Sequence, residues 1–286
     1  MMHHKRSYYH DEYKKYIMYN KYFTVEVKPD IDGDLQETAI ADDDLMWSWW
    51  PFEVPKGSSR LLNITARVAG NDGTAQHIPF QLIFGKSRID GATGNLHAPT
   101  SIGEWNEVAT ILPSKNEMIG SVKIDTVDYL CQSLVGCSIA TIGSSVTDSG
   151  SSCDLVLTSS GSSDHTFYMN GSTRVSITPG YDVLWVAGIG CGTMDFSSTV
   201  TTDVGETYAA GVTTIHTDTK LASLVFSPGD LIQDASNNEL GIISSMDNAS
   251  THDQDIVLLS KTSTTLADGV KLYHRNPITL ELSFEK

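Results

Sequence analysis

The sequence predicts an all-β chain: a β-sandwich or jelly-roll-like main domain, a small C-terminal β-barrel or roll, and an extended N-terminal arm. Three observations carry that expectation. Charged residues make up only 19% of the 286 and apolar ones 40%. Gly, Ser and Thr fill much of the remainder, a composition of short strands and many turns. Several stretches alternate at period two, the first setting Leu62, Ile64, Ala66 and Val68 against Asn63, Thr65 and Arg67. Turn formers separate them, among them Gly70-Asn71-Asp72-Gly73, Pro179-Gly180, Pro228-Gly229 and Asp268-Gly269. A chain of this length divides naturally into one large domain and a small one, with enough residues to bury a core.

Residues 1–28 read as an arm. They carry six Lys or Arg against three acids, interleaved with Tyr8, Tyr9, Tyr13, Tyr16, Tyr19 and Tyr22. A short helix is expected over Asp11–Tyr19, where Asp11 and Glu12 precede Lys14 and Lys15 in the sense that complements the helix dipole. Tyrosines in a leading segment suit contact with a neighbour, since each supplies large area at low entropic cost.

Residues 29–59 are expected to form an acidic, tryptophan-rich connection, because from Pro29 to Arg60 eight acids face two bases. Asp30, Asp32 and Asp34 alternate as in the opening of a calcium loop. Leu35 then stands where the tight-turn Gly belongs and Ala41 where the bidentate Glu belongs, which leaves a solvated acidic turn. Trp47, Trp49 and Trp50 form either the cap of a core or the hot spot of an interface. Pro51 and Pro55 make this stretch extended.

The main domain is placed at residues 60–200. Strands are expected over 62–68, 78–84, 107–111, 121–125, 154–157, 173–177 and 183–187, with a brief helix over Val127–Val135. The last of these strands is apolar on both faces and belongs between layers. Gly188-Ile189-Gly190-Cys191-Gly192 lacks the spacing of a dinucleotide fingerprint and reads as a turn or close-packing site. Polar residues 197–219 form a link to a second unit at 213–286. That unit offers strands at Leu221–Phe226, Asp230–Gln233, Leu240–Ser245, Asp255–Leu259 and Val270–His274. Short strands with such tight turns describe a barrel or roll. A final strand, Ile278–Phe284, alternates cleanly and is expected to return to a sheet of the main body.

The chemistry-bearing residues are dispersed. No dinucleotide fingerprint, phosphate loop, nucleophile elbow or His-Glu-x-x-His run occurs. After His10 the histidines are widely spread, and His97 and His274 read as surface or satisfied residues. Asp42, Asp43 and Asp44 lack the controlled separation that general acid-base work requires. Cys131, Cys137, Cys153 and Cys191 match no zinc spacing and read as buried free thiols, a Cys131–Cys137 disulfide remaining open. The glycosylation tripeptides at Asn63, Asn170 and Asn248 read as ordinary turn and strand residues. A net charge of -16 repels phosphate backbones, so direct nucleic-acid contact is not expected. No apolar run reaches the length of a membrane span and the leading residues are polar and aromatic, so neither membrane association nor ordinary secretion is expected. No catalytic residue, metal or cofactor is expected.

The stretches Leu224-Val225-Phe226-Ser227-Pro228-Gly229-Asp230-Leu231-Ile232, Asn238-Glu239-Leu240-Gly241-Ile242-Ile243 and Asp268-Gly269-Val270-Lys271-Leu272-Tyr273 resemble small β modules of tailed-bacteriophage virion proteins. In those, a strand enters a Gly-Asp turn, a short hairpin follows, and a late Asp-Gly turn leads to the closing strand. The resemblance covers about 75 residues. It implies a capsid decoration or cement protein on the phage head, or else a neck or tail component. Its partners would be further copies of itself and the major capsid protein or other virion proteins. The residues expected at the interface are Tyr8, Tyr9, Tyr13, Tyr16, Tyr19, Tyr22, Trp47, Trp49 and Trp50. Two further readings stand beside it: a carbohydrate- or receptor-binding β-sandwich, motivated by exposed aromatics, and a glycan-acting enzyme, which needs a concave pocket with two convergent carboxylates.

Overall fold

Period-two patterning becomes paired antiparallel sheets in the computed structural model, which describes residues 22–31, 36–37, 39–87, 116–130, 136–143, 155–158, 166–169, 173–176, 178–203, 205, 207–248 and 254–286. The protein is all-β, with no α-helical element among the described residues. One sheet contains β1 (Tyr22–Val27), β17 (Ile278–Glu285), β3 (Ser58–Ala69) and β6 (Cys137–Gly143) in that order, and β7 (Leu155–Thr158) also pairs with β3. The other runs β2 (Leu45–Pro55), β10 (Tyr181–Gly190), β4 (Phe80–Ser87), β5 (Asn116–Ile124). A separate hairpin joins β8 (Thr166–Met169) to β9 (Thr173–Ser176).

The two large sheets pack as a sandwich because each presents an apolar row to the other. β17 alternates without a fault, burying Ile278, Leu280, Leu282 and Phe284. Phe284 stacks on Phe23 of β1 at 4.9 Å between centroids and lies 6.4 Å from Phe52 of β2, so aromatic contact crosses between the layers. β10 is buried from Asp182 to Gly190. Leu184 and Val186 face the sandwich core, while Val183, Trp185, Ala187 and Ile189 are buried on the opposite face.

The second unit is a six-stranded sheet in the order β11 (Thr201–Thr202), β12 (Thr214–Asp218), β15 (Gln254–Leu258), β14 (Glu239–Met246), β13 (Leu231–Asp234), β16 (Leu272–His274). Its first and last strands meet: the Thr202 amide donates to Val270 O and the Leu272 amide to Val200 O, each at 2.9 Å. The sheet thus nearly closes into a small barrel around Ile215, Phe226, Ile232, Leu240, Ile243, Ile256 and Leu272. Closure removes open strand edges, which a small sheet otherwise exposes.

Several expectations need correction. Residues 29–59 are not a connection outside the domain, since β2 is an integral strand of the sandwich. The arm does not extend to residue 28, since Tyr22–Val27 pairs along β17. Two strands of the barrel, β11 and β12, lie within the 197–219 stretch expected as a link, having been missed because their Thr-rich sequences carry little apolar signal. Leu221–Phe226 is no strand: Ala222–Leu224 forms a 3-10 turn, and the amides of Val225 and Phe226 both donate to Ala222 O. Ala222 and Phe226 are buried four residues apart, a helical spacing. Of the helix expected over Val127–Val135 only a 3-10 turn, Thr126–Asp128, is present, and Asp125 caps it. Tyr129 bridges to Ala140 in place of a further helical turn. Residues 131–135, the helix over Asp11–Tyr19 and the strand over 107–111 lie outside the described residues, as do Tyr8, Tyr9, Tyr13, Tyr16, Tyr19, His97, Cys131, Cys153 and Asn170.

Candidate interaction surface

Tyr22 opens an edge strand. β1 turns Phe23, Val25 and Val27 toward the sandwich core, while Tyr22, Thr24 and Glu26 are exposed, Tyr22 by 61%. Glu26 pairs with Lys28 at 2.9 Å, a charged edge of the kind that discourages indiscriminate strand addition. Tyr22 lies opposite Glu285 and Val27 opposite Leu280. Ile278, at the other end of β17, follows directly from residues bonded to the barrel. The sandwich end that carries Tyr22 is therefore the one away from the barrel.

The tryptophan cluster is divided by the strand that carries it. Trp47 is 2% exposed and Trp49 6%, and Trp50 is half-buried against the sandwich core. They occupy the protein's own interior, so the expectation of Trp47 and Trp49 at a surface interface is overturned. The Trp47 indole N–H donates to Val186 O at 3.3 Å. Its ring lies over Gly188, where a Cβ would stand 2.3 Å from it. The glycine-rich run at 188–192 is thus a close-packing site.

Most of the partly buried charge joins the sandwich to the barrel. Asp72, in the turn after β3, accepts from the Thr199 amide and hydroxyl at 2.9 Å and from Lys220 Nζ at 2.7 Å. Burial opposes ionisation of this carboxyl, but the Lys220 ammonium and the Thr199 donors outweigh it and hold Asp72 below its ordinary range. Gly73 follows with φ of +81°, and a Cβ there would stand 2.2 Å from Leu224 O, so only glycine fits this contact between the units.

Beside it, Arg67 of β3 reaches Asp230 at 3.3 Å, and His274 of β16 is buried against the same carboxylate, its Nδ1 at 3.6 Å. His274 Nε2 lies 3.0 Å from Val225 O, and the ring packs on Phe226. Burial lowers the His274 pKa and Arg67 adds to that, against the opposing pull of Asp230 and the Val225 carbonyl. His274 is satisfied and has no surface exposure to speak of.

A third seam ties the segment after β1 to the barrel. Arg275 pairs with Asp30 at 2.8 Å, and Asn276 donates to Lys28 O, Pro29 O and the Asp30 carboxylate. Gln36 and Gln233 both donate to Ile31 O. Asp30 is therefore a structural anchor and not part of a solvated acidic turn. In the turn before β2, the Asp44 carboxylate accepts from the Ala41 amide at 2.7 Å.

The surface of the barrel holds two further features. His216 and Asp255 form an exposed cross-strand pair. On the outer wall, Leu231 of β13 lies opposite Ile242 of β14, and Leu259, just past β15, donates its amide to Ile242 O at 2.8 Å. The neighbouring pair Ile243 and Leu258 faces the barrel core. Leu231, Ile242 and Leu259 thus form an outward aliphatic row, with Ile242 39% and Leu259 66% exposed.

Cys137 and Cys191 are free thiols and half-buried, less enclosed than the sequence suggested. Burial pushes the Cys191 thiol pKa up, and Asp42, Asp43 and Asp125 reinforce this against Lys123. No group of three or more His, Cys, Asp or Glu among the described residues could hold a metal ion. No helix among them is long and apolar enough to cross a membrane.

The sequence signalled Tyr22 but missed the Asp72–Lys220 contact, the Arg67–Asp230–His274 group and the aliphatic row, since each unites residues from distant strands. No protein-family model and no curated protein matches the chain.

Proposed function

We propose that this chain is a structural protein of a bacteriophage virion, a decoration or cement protein that stabilises the head by protein-protein contacts. The carrying observation is β1. A tyrosine-rich, basic sequence precedes a sandwich edge strand at the end away from the barrel, which supports a role for that sequence in contact with a neighbour. The rest of the architecture is consistent with that role: a nearly closed barrel and a sandwich are joined by three polar seams into one body that can bear load through its surfaces. The resemblance of the C-terminal module supplies the particle as the setting.

The glycan-binding reading drew its motive from exposed aromatics on a β-sandwich, and the burial of Trp47 and Trp49 counts against it. The test is to purify phage particles from the source of this protein and identify their components by mass spectrometry, then add wild-type protein or a variant lacking residues 1–21 to particles depleted of it. Wild-type protein sediments with the particles and the variant stays in solution. Absence of the chain from purified particles would refute the assignment.

A further inference from the structure

We propose that the aliphatic row Leu231–Ile242–Leu259 on the barrel wall is the seat for the tyrosine-rich arm of a second copy of this chain. The inference rests on the reading of the arm as a docking element and adds the surface that receives it. Three exposed or half-exposed aliphatic side chains in register across neighbouring strands make a flat apolar strip, the kind of surface on which tyrosine rings lie well.

Charge favours the same match. Residues 1–21 hold five bases and two acids, whereas residues 29–286 hold 32 acids and 13 bases. Around the row, β14 is bracketed by Glu239, which faces Arg275, and by Asp247, Asp255 lies on the adjacent strand beside His216, and Lys261 lies beyond Leu259. The five tyrosines of residues 1–21 bring about 150–250 Å² each, which together approaches the roughly 1,000 Å² expected of a specific interface.

The reading of the arm as a docking element assigns the seat to a second copy, and the crosslinking experiment below separates that from the chain's own barrel. The arm joins the sandwich at Tyr22, opposite Glu285, one β17 length from the barrel, or about 25 Å at strand rise. Such a contact joins unlike surfaces and propagates as a ring or a stack.

The full-length protein is examined by sedimentation velocity from 1 to 100 µM, roughly the range in which such contacts assemble. It is compared with an Ile242→Lys, Leu259→Lys variant and with a Tyr8→Ser, Tyr9→Ser, Tyr13→Ser, Tyr16→Ser variant. Circular dichroism and thermal melting establish that each is folded. Wild-type protein self-associates, and each variant weakens association at least tenfold. Combining the two sets adds little, because both remove the same contact. A photo-crosslinker at Tyr13 in an isotope-labelled copy, mixed with unlabelled full-length protein, joins to residues 239–261 of the unlabelled chain.

A wild-type monomer throughout, or crosslinks confined to one chain, overturns the proposal. Loss of association in the tyrosine variant with wild-type association in the lysine variant also overturns it, while leaving the arm's docking role intact. If neither variant associates less than wild type and the tyrosine variant still binds particles, both readings fail.

Discussion

Gly188 and Trp47 illustrate how single side chains set the interior. Trp47 enters the core of the sandwich only because its β10 neighbour has no side chain, and its indole N–H then finds Val186 O. Gly188→Ala should therefore destabilise the fold by about 1–3 kcal/mol, the usual cost of overpacking, seen as a lower urea midpoint with unchanged slope. Cys191 responds to its surroundings in a different way. Burial and the acids around it raise its pKa, so less thiolate is present at pH 8. Its alkylation by iodoacetamide should run slower than that of free cysteine, and Asp42→Asn with Asp43→Asn should accelerate it.

At the scale of elements, the seams between sandwich and barrel carry a pH dependence whose sign follows from their pKa shifts. Asp72 is depressed below 3.8 in the folded protein. Its contribution is complete above that value and is lost as pH falls further toward the folded pKa. His274 is also depressed, below its ordinary 6.5. For a buried neutral histidine, stability is present above the unfolded pKa and is lost as pH falls below it, because the unfolded chain takes up the proton more readily. Chemical denaturation should thus show a decline beginning near pH 6.5 and a second one below pH 3.8. His274→Gln should flatten the first and Asp72→Asn the second, while a decline near pH 6.5 unchanged in His274→Gln would contradict the assignment.

At the scale of the molecule, β1 opens the described sandwich at Tyr22. Removing residues 1–21 should leave the melting temperature within a few degrees of wild type. Removing residues 1–27 strips β1, unstacks Phe23 from Phe284 and uncovers the core beside Val27. That larger deletion should cost roughly 3–6 kcal/mol, from one fully and two partly buried apolar side chains plus the β17 pairing, and is read as a drop in thermal midpoint. Equal melting of the two truncations would contradict this expectation.

Fold class was legible in the sequence because a strand's two faces are written in alternate residues, and β3 and β17 keep that alternation nearly without fault. The turns at Gly73, Gly180, Gly229 and Gly269 were legible for a related reason, since each needs a positive φ that glycine adopts freely. Of the candidate surface, only the tyrosines could be read in advance, because composition alone marks them. Tertiary structure alone decided which way the tryptophans point, how the barrel's first and last strands meet, and which charges join. Asp72 finds Lys220 across 148 residues, Arg67 finds Asp230 across 163, and Asp30 finds Arg275 across 245. Local periodicity says which face of a strand is buried. It holds no record of which strand lies alongside, because that choice is made by side-chain fit and charge between segments that meet only once the chain has closed its long loops.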